Sequence, residues 1–352
     1  MGKAYFKVLI AVALLFGACK KEEASVKLPA DGRRVLVVCE GSMGNGNAAL
    51  SLYLPEKDSV YEDVYKAINN KSLGDVFQSI TKIDGKLYCC INNSDKIIVL
   101  NEDLSLNNFI SVPKPRYMLQ VSQKKAYVSS LFNNKLYVLN GSDQTVYKQI
   151  DLPASNAEGM LLHNNEVFVC PWDTANNKVY VLDPSSDQLK DSFSVGGYAP
   201  QEILLDRENK LWILSGNVSK GRPAFFTRVD PGTRQVLGSY AFPATADAVR
   251  PVMSNNRDSI YFIEVNNSGG TDNNGIYRMS IGDAKLPQQP FIPAASFQYF
   301  WALGIDPVSG DIYVGDPKGF IQKSTVYVYS PDGQLKKQFN AGVGVGHFYF
   351  TY

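Results

Sequence analysis

The sequence predicts an all-β, seven-bladed propeller, and three observations carry that expectation. Aromatic strands separated by tight turns recur along the chain, marked by Lys86-Leu87-Tyr88, Lys125-Ala126-Tyr127, Glu166-Val167-Phe168, Lys210-Leu211-Trp212, Ser259-Ile260-Tyr261 and Asp311-Ile312-Tyr313, at spacings of 39, 41, 44, 49 and 52 residues. A strand-filled repeat of that length is one four-stranded blade, which cannot bury its two faces alone and stacks radially until the ring closes. Composition agrees, since 12% aromatics with 28 Gly and 18 Pro suits short strands joined by many tight turns. The ends agree too: the first repeat lacks an inner strand, and the last is followed by an unassigned aromatic strand, Gly346 to Tyr352. Pairing the two would close the ring and leave no open edge.

The first 18 residues read as an export signal. Lys3 and Lys7 form a basic start, Val8 to Phe16 is an apolar core too short to span a bilayer, and Phe16-Gly17-Ala18 leads into Cys19. Small residues before a cysteine form a lipobox, so Cys19 is the expected lipidation site, with ordinary secretion as the alternative. Lys20-Lys21-Glu22-Glu23 resembles the tag by which Bacteroidetes send lipoproteins to the outer face of the outer membrane. Residues 19–33 then form a flexible tether, and residues 34–352 a single propeller domain.

Charge is nearly balanced, with 35 Lys and Arg against 34 Asp and Glu, so no nucleic-acid partner is expected. Cys39, Cys89, Cys90 and Cys170 lie in β-patterned runs without the spacings of a zinc site. They read as small buried hydrophobes, with pairing left open.

In the first blade the chain supplies strands 35–39, 48–54 and 58–65. Blade two reads 76–83, 86–91, 96–101 and 104–111, and blades three to seven open near Arg116, Ala157, Pro200, Val249 and Phe300. Asp84-Gly85, His163-Asn164-Asn165, Arg207-Glu208-Asn209 and Ser309-Gly310 are short hairpin turns on one end of the ring. Longer loops, such as 40–47, 131–134, 171–177, 216–222, 264–274 and 316–323, fall on the other, wider end, where function is expected.

Phe77, Tyr117, Phe132, Trp172, Tyr198, Tyr299, Trp301 and Phe320 lie in or beside those loops, among amides that include Asn45, Asn93 and Asn217. Flat apolar faces beside many donors and acceptors suit a large ligand that is part ring system and part amide, although blades also wedge aromatics between neighbours for packing. Aligning the blades places Gln78, Tyr117, Glu158 and Glu202 around the mouth of the central channel, with His347 close by. The two carboxylates are weak candidates for calcium or for positioning a hydrolytic water; a hydrated, structural channel is the alternative. With two histidines in the chain, no three-imidazole metal site can form. No nucleophile elbow, phosphate loop or dinucleotide fingerprint is present, so neither catalysis nor a required cofactor is the expectation.

Three segments carry a resemblance: Cys39-Glu40-Gly41-Ser42-Met43-Gly44-Asn45-Gly46-Asn47, Ser72-Leu73-Gly74-Asp75-Val76-Phe77-Gln78-Ser79-Ile80, and Leu303-Gly304-Ile305-Asp306-Pro307 through Gly333. Together they resemble the YncE-like surface propellers of Bacteroidetes, which have the YVTN or quinoprotein-amine-dehydrogenase-like fold, and in particular the BtuG family of corrinoid-binding lipoproteins. The resemblance implies a non-catalytic cell-surface lipoprotein that captures cobalamin or a related corrinoid and hands it to a BtuB-like, TonB-dependent outer-membrane transporter. The alternatives are a glycan, peptide or protein partner at the same face, or a calcium-dependent lactonase-type hydrolase using Glu158 and Glu202.

Overall fold

The computed structural model describes residues 32–266 and 274–352. The expected export signal, Cys19 and nearly all of the tether lie outside them. Seven four-stranded antiparallel sheets form the ring, each a meander from the inner to the outer strand. Blade two, for instance, comprises Phe77–Ile83, Lys86–Ile91, Lys96–Leu100 and Leu106–Ser111. Its first turn uses Asp84 at φ 48° and Gly85 at φ 75°, the paired left-handed conformation that matches strand twist in a two-residue hairpin.

The ring closes as the sequence predicts. Blade one consists of Val345–Thr351, Arg34–Cys39, Ala49–Leu54 and Ser59–Tyr61, so its inner strand comes from the far end of the chain. Phe348 pairs with Val37 and His347 with Val38, which satisfies an edge that would otherwise be open. Phe348 is buried with Val37 and Tyr313, tying blade one to blade seven.

The core is a set of apolar wedges between neighbouring blades. Leu36, Leu50, Phe77 and Leu87 fill the space between blades one and two, and Trp212, Phe226, Phe262 and Tyr277 that between blades five and six. In the latter, Phe226 meets Phe262 edge-on at 5.3 Å and Phe262 stacks on Tyr277 at 5.6 Å. Cys39, Cys89, Cys90 and Cys170 are all buried free thiols.

Two outer strands are shorter than their neighbours. In blade one the expected strand 58–65 ends at Tyr61, because Asp63 caps a helix, Val64–Asn69, by accepting from the Lys66 N–H. That helix buries Val64 and Tyr65 against the first wedge. In blade six the outer strand shrinks to Ile292–Pro293. Among the described residues no helix is long and apolar enough to cross a membrane.

Candidate functional site

The wide face converges on the hub of the ring, and local backbone irregularity is what aims the side chains there. Six of the seven inner strands carry a bulge at the same height. Gln78 is skipped between the pairs Phe77↔Ile91 and Ser79↔Cys90, Arg116 and Tyr117 between Pro115↔Ser130 and Met118↔Val128, and Glu158 between Ala157↔Pro171 and Met160↔Val169. Gln201, Arg250 and Gly346 occupy the corresponding interruptions in blades five, six and one. A bulge adds an unpaired residue and redirects its side chain, so polar groups leave the pleat and face the axis.

These residues form one connected network. Arg116 Nε donates to both oxygens of Glu158, at 2.8 and 3.0 Å, and its Nη1 donates to Gln78 Oε1. Gln78 Nε2 donates to the Tyr117 hydroxyl at 3.1 Å, which also accepts from Arg250 Nη1 at 3.3 Å. Arg250 Nη2 reaches Glu40 Oε1 at 3.0 Å, and the Trp301 indole N–H donates to the same oxygen at 3.0 Å. The Arg250 guanidinium lies 5.1 Å over the Trp301 ring. Glu40 can sit there because Gly346 has no side chain; a Cβ at that position would overlap the carboxylate.

Above the network lies a cavity of about 240 Å³, lined by Tyr117, Trp172, Gln201, Glu202, Asn217 and Trp301 among others. Trp172 is held by its indole N–H donating to Gly216 O at 2.9 Å, and Gln201 donates to the same carbonyl at 3.3 Å.

Burial dominates the electrostatics. It works against the Arg116 guanidinium, but Glu158 and the other anions outweigh it and hold the pKa above the usual arginine value. Burial raises Glu158 above the usual carboxyl range despite the pull of Arg116. Glu202 is pushed up to about 7 by burial, with Arg250 opposing and Glu158 reinforcing the shift. Burial and then Arg250 lower His347 to about 4, so its imidazole is neutral at pH 7.

The sequence-predicted residues divide. Tyr117, Trp172, Trp301 and Asn217 meet in the cavity with Glu158 and Glu202. Phe320 packs edge-on against Trp301 at 5.8 Å, and Tyr299 stacks on the same indole at 6.2 Å. Phe132 stands on its loop 78% exposed, Tyr198 lies beneath Arg222 at 4.4 Å, and Asn45 is exposed in the first loop. Asn93 has both ends of its amide occupied, donating to Asp75 at 2.5 Å and accepting from Lys114 at 3.0 Å. Phe77 requires correction: it is fully buried in the wedge between blades one and two and presents no face to the rim. Its neighbour Gln78 takes the bulge and reaches the hub instead.

Arg116, Arg250 and Glu40 went unassigned as site residues from sequence. The available signal was a cation inside an apolar run, as in Ala248-Val249-Arg250-Pro251-Val252. The calcium reading does not fit the donor set. Both Glu158 oxygens are taken by a guanidinium, and among the described residues no three His, Cys, Asp or Glu side chains are grouped to hold a metal ion.

Residues 33–351 match the model of a family described as domain of unknown function DUF5074. The chain belongs to this family. Among solved structures, this DUF5074 chain is similar to a quinonprotein alcohol dehydrogenase-like protein from Bacteroides thetaiotaomicron VPI-5482, at 17% identity and a TM-score of 0.67, over 90% of this chain and 77% of that one. It is also similar to the periplasmic gluconolactonase of Pseudomonas aeruginosa, at 12% identity and a TM-score of 0.66, over 91% and 99% of the two chains. At such identities the likeness shows the propeller fold alone. No curated protein sequence matches the chain.

Proposed function

We propose that this DUF5074 propeller is a non-catalytic capture protein of the YncE-like, BtuG-related kind, held at the outer membrane by lipids on Cys19. On this reading its wide face takes a corrinoid such as cobalamin and passes it to a TonB-dependent outer-membrane transporter.

The observation that supports it best is the hub cavity, where Trp172, Trp301 and Tyr117 stand beside Gln201, Asn217 and Arg250. At about 240 Å³ the cavity is too small for a whole corrinoid but suits one amide-bearing arm. The flat macrocycle would then rest on the rim, near Tyr299, Trp301 and Phe320. Because Arg250, Glu40 and Trp301 already hold one another in place, little freedom is lost on binding. The attachment of the tether is compatible with this role. Arg33 pairs with Glu56 at 2.7 Å and Asp306 at 3.4 Å, both on turns of the narrow end, so an anchor would leave the wide face unobstructed.

Calorimetric titration with cyanocobalamin tests the reading. Binding is expected, weakened about tenfold or more by Trp172→Ala or Trp301→Ala. No heat at high micromolar ligand would remove this cargo and leave a glycan, peptide or protein as the occupant of the face.

A further inference from the structure

A second cavity, of about 550 Å³, opens between blades five and six, away from the hub. It originates in the unequal outer strands of the two blades. Blade five has a full outer strand, Val236–Ala241, whereas blade six has only Ile292–Pro293. Pro287, Pro290 and Pro293 bring no N–H to pair with Gly275–Ser280, so a regular fourth strand cannot form there. The segment that replaces it runs as a loop, and Leu286 and Pro287 of that loop line the opening. Tyr240, Phe242 and Pro243 of blade five form the facing wall.

One carboxylate, Glu264, lines this cavity beside Tyr240, Phe242 and Leu286. Its backbone is fixed in strand Ser259–Asn266 opposite Gly275. No group among the described residues donates a hydrogen bond to it or forms an ion pair with it. The titratable groups around it are Tyr277 on the neighbouring strand, Tyr240 on blade five and Lys285 on the loop. None of them offsets its burial, which pushes Glu264 up to about 7. Among the described residues this half-buried acid has no partner, and a cation entering the cavity would supply one.

We propose that this cavity binds a small organic ammonium carrying a flat apolar body, with the cation on Glu264 and the body against Tyr240 and the proline-lined wall. The aromatic faces add to the attraction for a cation, and an ammonium also supplies the missing hydrogen-bond donors. Because the ligand favours the ionised carboxylate, binding near neutrality releases a proton.

The test is a titration of the full chain with benzylammonium chloride, followed by calorimetry in two buffers of different ionisation heat. Trp212 provides a second readout, since it stacks on Tyr240 at 5.4 Å and 27°. Binding should weaken as pH falls below about 7, and Glu264→Gln should lose about tenfold or more in affinity. Benzyl alcohol, of the same shape without the charge, should bind at least as poorly. Equal affinity for the alcohol, unchanged affinity in E264Q, independence of pH, or no binding at about 10 mM ligand would each overturn the proposal. The alcohol comparison uses the unaltered chain, so it stands even where the variant misfolds. Its outcome is independent of any corrinoid at the wide face.

Discussion

Arg116→Met is the perturbation that most directly probes how the hub is held together. The guanidinium makes two hydrogen bonds to Glu158, whose side chain is only 4% exposed. Methionine keeps much of the volume and removes the charge, leaving a buried carboxylate without its counter-ion. Breaking a buried pair from one side costs about 3–5 kcal/mol. The carboxylate has an escape, which is to protonate. Glu158 already has a folded-state pKa above its unfolded value, and losing Arg116 raises it further. For an acid shifted in that direction the unfolded chain ionises first, so the penalty is absent below the unfolded carboxyl pKa and grows as pH rises toward the folded value. Urea unfolding should therefore show a loss of about 3–5 kcal/mol near pH 8 and a clearly smaller loss near pH 5. The double variant Arg116→Met, Glu158→Met should recover most of that loss at pH 8, remaining about 1 kcal/mol short because Gln78 Oε1 has lost its donor. A loss that is equal at both pH values and undiminished in the double variant would show that Arg116 contributes packing rather than charge pairing.

Gly346→Val should drive Glu40 off Arg250 and Trp301 and cost about tenfold or more in cyanocobalamin affinity; calorimetry showing unchanged binding would separate Glu40 from the site. Thiol labelling of the native protein near pH 8 should leave Cys39, Cys89, Cys90 and Cys170 unmodified until denaturant is added. Burial pushes Cys39 and Cys90 up to about 12 and the other two well above the usual thiol value. Rapid reaction of any of these four without denaturant would contradict that packing.

The architecture was legible because its signals are periodic. Aromatic second strands such as Lys86–Ile91 and Lys125–Ser130 repeat with their turns, and the unpaired tail at Val345–Thr351 had one vacancy to fill. The hub was legible in part. Aligning the blades put Gln78, Tyr117, Glu158 and Glu202 at one height, but alignment cannot say which way a side chain points. A one-residue offset reverses the face in a strand, which is why Phe77 was placed on the rim and lies in the core. Bulges make that offset local and hard to read. They also explain why Arg116 and Arg250 were missed: in a regular inner strand a cation beside Pro115 or Pro251 would have no reason to meet an acid from another blade. The missing outer strand of blade six left a composition signal, three prolines in seven residues, that carried no hint of a cavity.

Ring closure completes the hub network in this chain. Glu40 follows the first strand of blade one, yet its backbone N–H donates to Gly344 O and its side chain lies over Gly346, both near the C-terminus. Through Glu40 the closing strand reaches Arg250 of blade six and Trp301 of blade seven, and through Tyr117 the network continues to blades two, three and four. Long-range pairing of this kind forms late, because the closure entropy of the whole chain must be met first. The contacts of Glu40 with Arg250 and Trp301 are the part of the hub that depends on the closing strand, through Gly344 and Gly346. On the proposed capture reading, the wide face reaches its binding arrangement only once the last strand has paired with the first.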